Sequence, residues 1–355
     1  MNIYSPVTCV WEITMACNMR CKHCGSSCEN SLPGELTTEE AFKFVDMCSD
    51  MDMQWISISG GEPFTRKDIV EVVKYVVSKG IGVNIITNGW LINDNIAKEL
   101  GKLDGVRVLI SLDGPKYIHD FIRKPGAFDR AKESYRALHS YGIDTGCITT
   151  ITKKNIDSLN ELKYFLISEG VKCWQVQIGL PMGNLAKHSD WLLNPEQINT
   201  IIDYCYEVSQ EGKINIFPAD CIGYYSEKQN EIYKRSFGVD NVAEWDGCSA
   251  GISSFGLLHN GDILGCTSMR DKTFIEGNIK EKSLKDIWNN PNSFSWRRNF
   301  KKENLKGDCL ECKYAEKCLG GCSNTRLSIN GNICSENLYC VQNLLIKKLK
   351  NNSII

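Results

Sequence analysis

The sequence lacks an excess of basic residues, and this excludes two kinds of partner. Lys and Arg total 41 against 43 Asp and Glu, which gives a net charge of −2. Such a balance provides neither the basic field that attracts nucleic acid nor a polybasic patch for a membrane surface. No apolar run is long enough to span a bilayer, and the N-terminus lacks the charged and apolar regions of a signal peptide. We therefore predict a cytoplasmic protein that binds neither nucleic acid nor membrane.

Cysteine, by contrast, is abundant for a chain in that compartment, where disulfides are rare. The 18 cysteines cluster in two ranges, 17–28 and 248–340. Clustered cysteines in a reducing compartment indicate metal ligands. The scattered remainder lie mostly in apolar segments and are predicted to be buried free thiols: Cys9, Cys48, Cys147, Cys173, Cys205 and Cys221.

The first cluster has CxxxCxxC spacing, formed by Cys17, Cys21 and Cys24 directly after a strand-like run. Three closely spaced thiolates can hold three irons of a cubane cluster, and the fourth iron is then open for chemistry. A zinc site is the alternative, because pairs of cysteines with C-x₂₋₄-C spacing also bind zinc. Zinc sites take their second pair of ligands about a dozen or more residues later, and Cys28 is too close for that.

The second cluster is denser. Cys309-x₂-Cys312-x₅-Cys318-x₃-Cys322 places four cysteines within a short segment, and further cysteines stand at 248, 266, 334 and 340. A structural module stabilised by zinc is one interpretation. Seven or eight thiols with several short spacings favour two cubane clusters.

From residue 1 to about residue 180, β-branched strands alternate with amphipathic helices at roughly 30-residue spacing, which predicts a parallel α/β sheet. Six such units are too few for an eight-stranded barrel, so we predict a partial (β/α)₆ barrel of the TIM type. Thr37 predicts the capped start of the first helix. The predicted strands are Thr8–Thr14, Trp55–Ser59, Val83–Thr87, Val106–Ser111, Thr145–Ile151 and Cys173–Ile178, with Ile214–Phe217 as a further candidate.

Polar, glycine-bearing loops follow the predicted strands at their carboxyl ends, where such folds carry their sites. They are Ser59–Pro63 after the second strand, Thr87–Gly89 after the third and Ser111–Gly114 after the fourth. Each alone is also compatible with an ordinary turn. Together with the cysteine loop they predict a pocket for a polar small molecule beside a metal.

The domain organisation predicted from these patterns has three parts. Residues 1–224 form the partial barrel, 225–247 a polar, tyrosine-rich linker, and 248–355 a cysteine-rich domain that ends in a helix.

These motifs together resemble the radical SAM superfamily, and within it the members with a C-terminal SPASM domain, which binds iron–sulfur clusters. Cys17, Cys21 and Cys24, with His23 at the aromatic position before the last cysteine, match the superfamily signature. The resemblance implies that this loop binds SAM through the open iron. The SAM-pocket residues that it implies are His23, Gly60, Gly61, Glu62, Pro63, Thr87, Asn88, Ser111 and Asp113.

The second cysteine cluster resembles the SPASM pattern, which implies two auxiliary clusters and three [4Fe–4S] clusters in all. By this analogy the distal cluster is held by Cys309, Cys312, Cys318 and Cys340, and the proximal one by Cys248, Cys266 and Cys322. The fourth proximal ligand stays open between Cys334, Cys221, a water and the substrate.

The resemblance implies reductive cleavage of SAM to a 5′-deoxyadenosyl radical, which abstracts hydrogen from substrate, with electrons from a flavodoxin- or ferredoxin-type donor. We expect a peptide substrate that is crosslinked, epimerised or otherwise oxidised. Tetrapyrrole side-chain modification, as in haem biosynthesis, is the alternative. Sulfatase maturation is disfavoured, because relatives with that activity carry aspartate where Thr267 stands.

Only sixteen residues precede Cys17, so we expect no built-in leader-recognition domain, and a separate recognition protein is one consequence. A non-catalytic electron carrier or zinc protein is the alternative from another class. The polar loops disfavour it, because an electron carrier needs no amino-acid pocket.

Overall fold

Ten strands and fourteen α-helices form in the residues that the computed structural model describes, which are 4–219, 222–238 and 245–352. The strands are β1 (Thr8–Thr14), β2 (Trp55–Gly60), β3 (Gly82–Thr87), β4 (Val106–Ser111), β5 (Asp144–Ile151), β6 (Cys173–Ile178), β7 (Asn215–Pro218), β8 (Ser254–Leu257), β9 (Asp262–Leu264) and β10 (Ile275–Asn278). The helices are α1 (Thr38–Ser49), α2 (Ile69–Ser78), α3 (Asp94–Leu100), α4 (Lys116–Ile122), α5 (Ala127–Ser140), α6 (Leu159–Ser168), α7 (Gln197–Glu211), α8 (Gln229–Phe237), α9 (Leu284–Asn289), α10 (Ser295–Arg298), α11 (Asp308–Glu311), α12 (Ala315–Cys318), α13 (Ser323–Asn330) and α14 (Val341–Asn352). The strands predicted from the sequence are confirmed, with small differences at their ends.

The first of two compact units comprises Met1–Leu112, His119–Gly146 and Ser249–Asn299. Its strands lie in the order β10-β9-β8-β1-β2-β3-β4. Strands β1 to β4 are parallel, and β8 pairs in parallel with the other side of β1. Strands β8 and β9 pair antiparallel and form a hairpin directly before Cys266. Strands β8 to β10, which come late in the sequence, thus share one sheet with the N-terminal strand β1.

The core of this unit forms on the helix-covered face of β1. Trp11 packs edge-on against Phe44 of α1 at 5.1 Å between ring centroids, and Phe44 contacts Phe255 of β8 at 6.4 Å. Trp288 of α9 continues the row, 6.0 Å from Phe255. Fully burying one such side chain contributes about 2–3 kcal/mol. Because side chains alternate along a strand, Glu12 projects from the opposite face of β1.

Helix α1 begins as the sequence predicts. The Thr37 side chain accepts a hydrogen bond from the Glu40 N–H, and the Glu40 carboxylate accepts one from the Thr37 N–H. This capping box satisfies two of the backbone donors that a helix start leaves unpaired.

The scattered cysteines are largely confirmed as buried thiols. Cys9, Cys48, Cys147 and Cys205 are buried, whereas Cys173 is partly exposed. Cys221 lies outside the described residues.

The second unit comprises Asp113–Ile118, Cys147–Cys248 and Phe300–Ile355. It contains most of β5 together with β6 and β7, which pair in parallel. Trp174 of β6 is buried and donates from Nε1 to the Thr149 hydroxyl at 2.8 Å. Helix α8 lies inside the range given as a linker, and the domain boundaries themselves stay a prediction. No helix in the described ranges is long and apolar enough to cross a membrane.

Candidate functional site

The loop after β1 is held in shape by one arginine. Arg20 Nη1 donates to the carbonyl oxygens of Cys17, Met19 and Cys28 at 3.0, 2.8 and 3.1 Å, and Nη2 pairs with Glu29 at 3.0 Å. An exposed ion pair contributes little by itself. The three bonds to main-chain oxygens connect distant points of the loop, and we call this arrangement the Arg20 clamp.

The two ends of the same loop also pair directly. The Cys17 N–H donates to the Glu29 carbonyl at 3.0 Å, and the Glu29 N–H donates to the Met15 carbonyl at 3.1 Å. The segment 17–28 is therefore closed by main-chain bonds at its base.

The thiols of this loop differ in their surroundings. The Cys28 thiol and the backbone N–H groups of Ser26, Ser27 and Cys28 donate to the Cys24 sulfur, and they lower the pKa of Cys24 to about 5 although burial opposes this. Burial raises the pKa of Cys17. A thiolate-stabilising nest at Cys24 suits a metal ligand, because the thiolate is the ligating form. Sequence reasoning missed this role of Cys28, which the CxxxC spacing after Cys24 could have indicated.

The glycines after β2 bring two backbones together. A Cβ at Gly60 would lie 2.3 Å from the Thr14 carbonyl oxygen, and one at Gly61 would lie 2.1 Å from that of Ala16. The Gly61 N–H donates to the Thr14 carbonyl at 2.7 Å. Glycine is required here, since any side chain would displace the residues that lead into the cysteine loop.

Glu62 lies at the centre of the polar loops and is fully buried. Its Oε1 accepts from the Thr87 hydroxyl at 2.7 Å and the Phe64 N–H at 3.2 Å, and Oε2 accepts from the Asn88 N–H at 2.8 Å. Burial raises the pKa of Glu62, and these three bonds oppose the shift. A carboxylate has about four acceptor sites, so Oε2 retains one for a cationic ligand.

Asn88 connects this carboxylate to the cysteine loop. Its side-chain Nδ2 donates to Asn18 Oδ1 at 2.8 Å, while its N–H binds Glu62. Asn18 Nδ2 is buried, and no acceptor for it is found among the described ranges. An unused donor and a carboxylate with a spare acceptor thus flank Asn88. An amino-acid head group, with one carboxylate and one ammonium, fits this pair chemically.

The other predicted pocket residues are placed less centrally. His23 and Pro63 are buried, and Ser111 is partly exposed. Asp113 belongs to the second unit, where its Oδ1 accepts from the Thr150 N–H at 3.2 Å and its carbonyl from Asn155 Nδ2 at 2.7 Å. These contacts give Asp113 a structural task within its own unit.

Sequence reasoning missed an ion pair beside the cysteine loop. Glu12 on β1 is 5% exposed, its Oε1 accepts from Arg270 Nη2, and the same nitrogen lies 2.5 Å from Ser26 Oγ. Arg270 Nε donates to the Thr267 carbonyl at 2.8 Å. Burial raises the pKa of Glu12 to about 7 despite Arg270. A glutamate inside an otherwise apolar strand was the available signal.

In the second unit, the four predicted distal ligands converge. Cys309, Cys312, Cys318 and Cys340 line one cavity, together with the stacked rings of Tyr225 and Tyr314, whose centroids are 4.0 Å apart. A set of four thiols around one cavity fits a cubane cluster, which takes one cysteine per iron.

The surroundings of this cavity disfavour free thiolates. Burial raises the pKa of Cys309 to about 11 and raises the pKa of Cys318 and Cys340 as well. The Asn337 N–H donates to the Cys309 sulfur at 3.3 Å. Bound iron would supply the positive charge that a deprotonated, buried set of thiols needs.

The proximal set is distributed differently. Cys266 follows β9 in the first unit, whereas Cys248 and Cys322 belong to the second, and this ligand set stays a prediction. Across 4–219, 222–238 and 245–352, no three His, Cys, Asp or Glu side chains converge on a single metal ion. A cubane does not require such convergence, because its cysteines bind different irons.

Comparison with known proteins gives two family matches. The radical SAM superfamily matches residues 11–166, and an iron–sulfur cluster-binding domain, SPASM, matches residues 248–313. The first range contains Cys17, Cys21, Cys24 and Glu62, and the second begins at Cys248. The chain therefore carries a radical SAM domain and a SPASM iron–sulfur domain, which together define an enzyme of the radical SAM type. The predicted α/β partial barrel with a cysteine-rich C-terminal domain is confirmed.

Two relatives align over nearly the whole chain. An AdoMet-dependent heme synthase of Methanosarcina barkeri is 29% identical over 348 residues, 95% of this chain and 97% of the relative. A mycofactocin maturase, MftC, of Mycolicibacterium smegmatis is 28% identical over 323 residues, 90% of this chain and 78% of the relative.

Among solved structures, SuiB of Streptococcus suis bound to S-adenosylmethionine superimposes with a TM-score of 0.74 at 19% identity. The match covers 95% of this chain and 78% of SuiB, and it shows a common fold.

Proposed function

We propose that this enzyme cleaves SAM reductively at the Cys17, Cys21 and Cys24 loop and uses the resulting radical to oxidise a peptide. The observation that carries the SAM site is the pair flanking Asn88, the buried Glu62 carboxylate and the unused Asn18 donor. When bound, a [4Fe–4S] cluster on the three cysteines supplies the electron that converts SAM to methionine and a 5′-deoxyadenosyl radical.

In this step the protein's own residues bind SAM in one orientation and exclude water. Glu62 binds the ammonium through its remaining acceptor site, and Asn18 donates to the carboxylate. Thr87 and Phe64 hold the Glu62 carboxylate in place, so little order is lost when SAM binds. Gly60 and Gly61 keep this loop against the residues before Cys17.

The C-terminal cysteines hold two auxiliary clusters, which brings the total to three. Cys309, Cys312, Cys318 and Cys340 bind the distal cluster in the cavity beneath Tyr225 and Tyr314. Cys248, Cys266 and Cys322 bind the proximal one. The distal cluster would be closed by its four cysteines, and a closed cluster transfers electrons, here between the substrate and a flavodoxin- or ferredoxin-type donor.

A peptide is our first substrate class. It is supported by the mycofactocin maturases, at 28% identity, and by the fold shared with SuiB, which has been crystallised with its precursor peptide SuiA. A separate leader-recognition protein is a compatible partner.

A tetrapyrrole is the second candidate, and one observation favours it. The heme synthase of M. barkeri is 29% identical and aligns over 97% of its own length. The reaction would then be oxidation of a side chain of a haem precursor.

One experiment tests the reaction and separates the substrates. The reconstituted enzyme is incubated anaerobically with SAM and dithionite, alone and with either a haem precursor or short peptides encoded beside its gene. We expect 5′-deoxyadenosine in all cases and a mass change in the peptide. A mass change in the tetrapyrrole alone would replace the peptide by the second candidate. Absence of 5′-deoxyadenosine with full iron content would overturn the proposal.

A further inference from the structure

Arg326 is a buried cation that pairs with no carboxylate among the described residues. The residue lies on α13, shortly after Cys322, and is 1% exposed. Its Nη2 donates to the Ser323 hydroxyl at 3.2 Å. Within the described ranges, nothing accepts a hydrogen bond from its Nε or Nη1, and no carboxylate pairs with it. The Phe300 ring lies beside the guanidinium, 5.3 Å from Cζ to the centroid.

Four cysteines lie near enough to this guanidinium to interact with its charge. Burial lowers the pKa of Arg326, and the thiols of Cys309, Cys322, Cys318 and Cys334 oppose the shift, so all four lie within electrostatic reach. Two of them, Cys309 and Cys318, line the four-cysteine cavity.

Gly320 marks how close the arginine comes to that cavity. Gly320 is part of the cavity lining, and a Cβ added to it would lie 2.6 Å from Arg326 Nη1. Its φ of +82° also favours glycine. The unpartnered nitrogen therefore lies directly behind the cavity wall.

This arrangement calls for an anion. Arginine stays protonated in proteins, and a buried charge without a partner costs several kcal/mol. Neutral thiols cannot supply the missing charge. Four thiolates around an iron–sulfur core carry a net negative charge, and their sulfurs accept hydrogen bonds from N–H donors, which is one of the means by which proteins set cluster potentials.

We propose that Arg326 is the counter-cation of the auxiliary cluster held by Cys309, Cys312, Cys318 and Cys340, and that it raises the reduction potential of that cluster. This role rests on the proposed function, since it requires the cluster. Arg326 acts as a positioning and tuning residue, because it touches neither SAM nor substrate. Removing its charge disfavours the more negative, reduced state of the cluster.

The test uses the full-length chain with Cys17, Cys21 and Cys24 replaced by alanine, so that only auxiliary clusters contribute. Arg326→Gln and Arg326→Lys are compared by iron content and by redox titration followed by electron paramagnetic resonance. Lys317→Gln is the matched control, because it removes the same charge at an exposed position next to Cys318. There, water screens the charge.

We expect Arg326→Gln to lower the equilibrium constant for one-electron reduction of this cluster at least tenfold. That change is a shift of the reduction potential by about 59 mV in the negative direction. Arg326→Lys should shift it less, and Lys317→Gln should leave it unchanged. If Arg326→Gln loses iron, Arg326→Lys decides: retained iron supports the charge role, and equal loss in both overturns it. Full iron with an unshifted potential in Arg326→Gln also overturns it. A parent chain without auxiliary iron would instead show that the proposed function fails.

Discussion

The N-terminal loop and the C-terminal cavity use the same side chain in opposite surroundings. In the loop, the Arg20 clamp fixes the backbone, and hydrogen bonds from Cys28 and neighbouring N–H groups lower the pKa of Cys24. In the cavity, Cys309 is buried and the other three cysteines are partly exposed, and burial raises the pKa of Cys309 and Cys318.

The difference matches the two tasks of an iron–sulfur centre. On our proposal, three ligands beside polar loops leave an iron accessible to a cofactor, whereas four ligands around one cavity leave none. The polar contacts of Glu62 beside the loop would then serve a small molecule. The contacts around the cavity would serve the charge of the cluster itself. The number of thiols and the polarity of their neighbours together distinguish catalysis from electron transfer.

The strongest test of this contrast removes a loop thiol. Cys21→Ala should abolish 5′-deoxyadenosine formation, because a cluster with two protein ligands is not held, while the fold should persist, since the core forms around Trp11 and Phe44. Cys173→Ser, outside both clusters, is the control. Product formation at the parental rate by Cys21→Ala would exclude the loop as the SAM site.

The matching change in the cavity should separate the two tasks. Cys318→Ala should cost about one cluster, roughly four irons, and abolish substrate modification. SAM cleavage without substrate should continue, because the loop is intact. Iron analysis and the 5′-deoxyadenosine assay measure both. Parallel loss of SAM cleavage in a folded variant would contradict the separation.

Glu62 tests the polar side of the loop. Glu62→Ala should weaken SAM binding more than tenfold, since loss of a buried, charge-assisted bond costs on the order of 2 kcal/mol. Iron content should stay unchanged. Equilibrium binding of SAM to the reconstituted enzyme gives the affinity, with Glu71→Ala on α2 as an exposed control. An unchanged dissociation constant would remove Glu62 from the pocket.

The Arg20 clamp should have a smaller effect. Arg20→Met removes three bonds to carbonyl oxygens, each worth about 1 kcal/mol or less at this partly exposed position. We expect faster amide hydrogen exchange in residues 15–29 and modestly lower iron retention. Arg235→Met, a surface arginine that pairs with Glu231 on its own helix, is the control. Equal exchange rates in the variant and the parent would show that the main-chain bonds at the base of the loop are enough to keep it ordered.

The smallest effect is expected from the cysteines outside both assigned sets. The double variant Cys221→Ser/Cys334→Ser should keep its iron and its auxiliary-cluster spectrum, if the proximal cluster has an open iron. Cys334 lies in a polar turn, where its N–H binds Asn332 Oδ1 at 2.8 Å. Loss of about one cluster of iron would show that the protein closes the proximal cluster.

The strands and both cysteine groups could be predicted because their signals are local. β-Branched runs such as Val106–Ser111 define strands, and the capping pair Thr37 and Glu40 lies three residues apart. The grouping of Cys309 with Cys340 followed from a resemblance to known patterns, and both residues line one cavity in the structure.

Other features depend on long-range contacts that no local pattern contains. Arg270 meets Glu12 across 258 positions of the chain, and Asn88 meets Asn18 across 70. Glu12 and Arg326 are charged residues at buried positions. From sequence alone, charged residues are assigned to the surface, because most of them lie there. The task of Asp113 was also hidden, since its partner Asn155 lies on a later loop.

The Arg20 clamp has a consequence for how the metal is acquired. Fixing one backbone residue costs about 1–2 kcal/mol of conformational entropy. The bonds from Arg20 and the pairing of Cys17 with Glu29 join protein atoms only, so this ordering belongs to folding and is not subtracted from the affinity for iron. On our proposal, cluster assembly at the loop would then depend on delivery of iron and sulfide to a backbone that is already ordered. A cluster lost from this loop could be rebuilt without refolding of the chain.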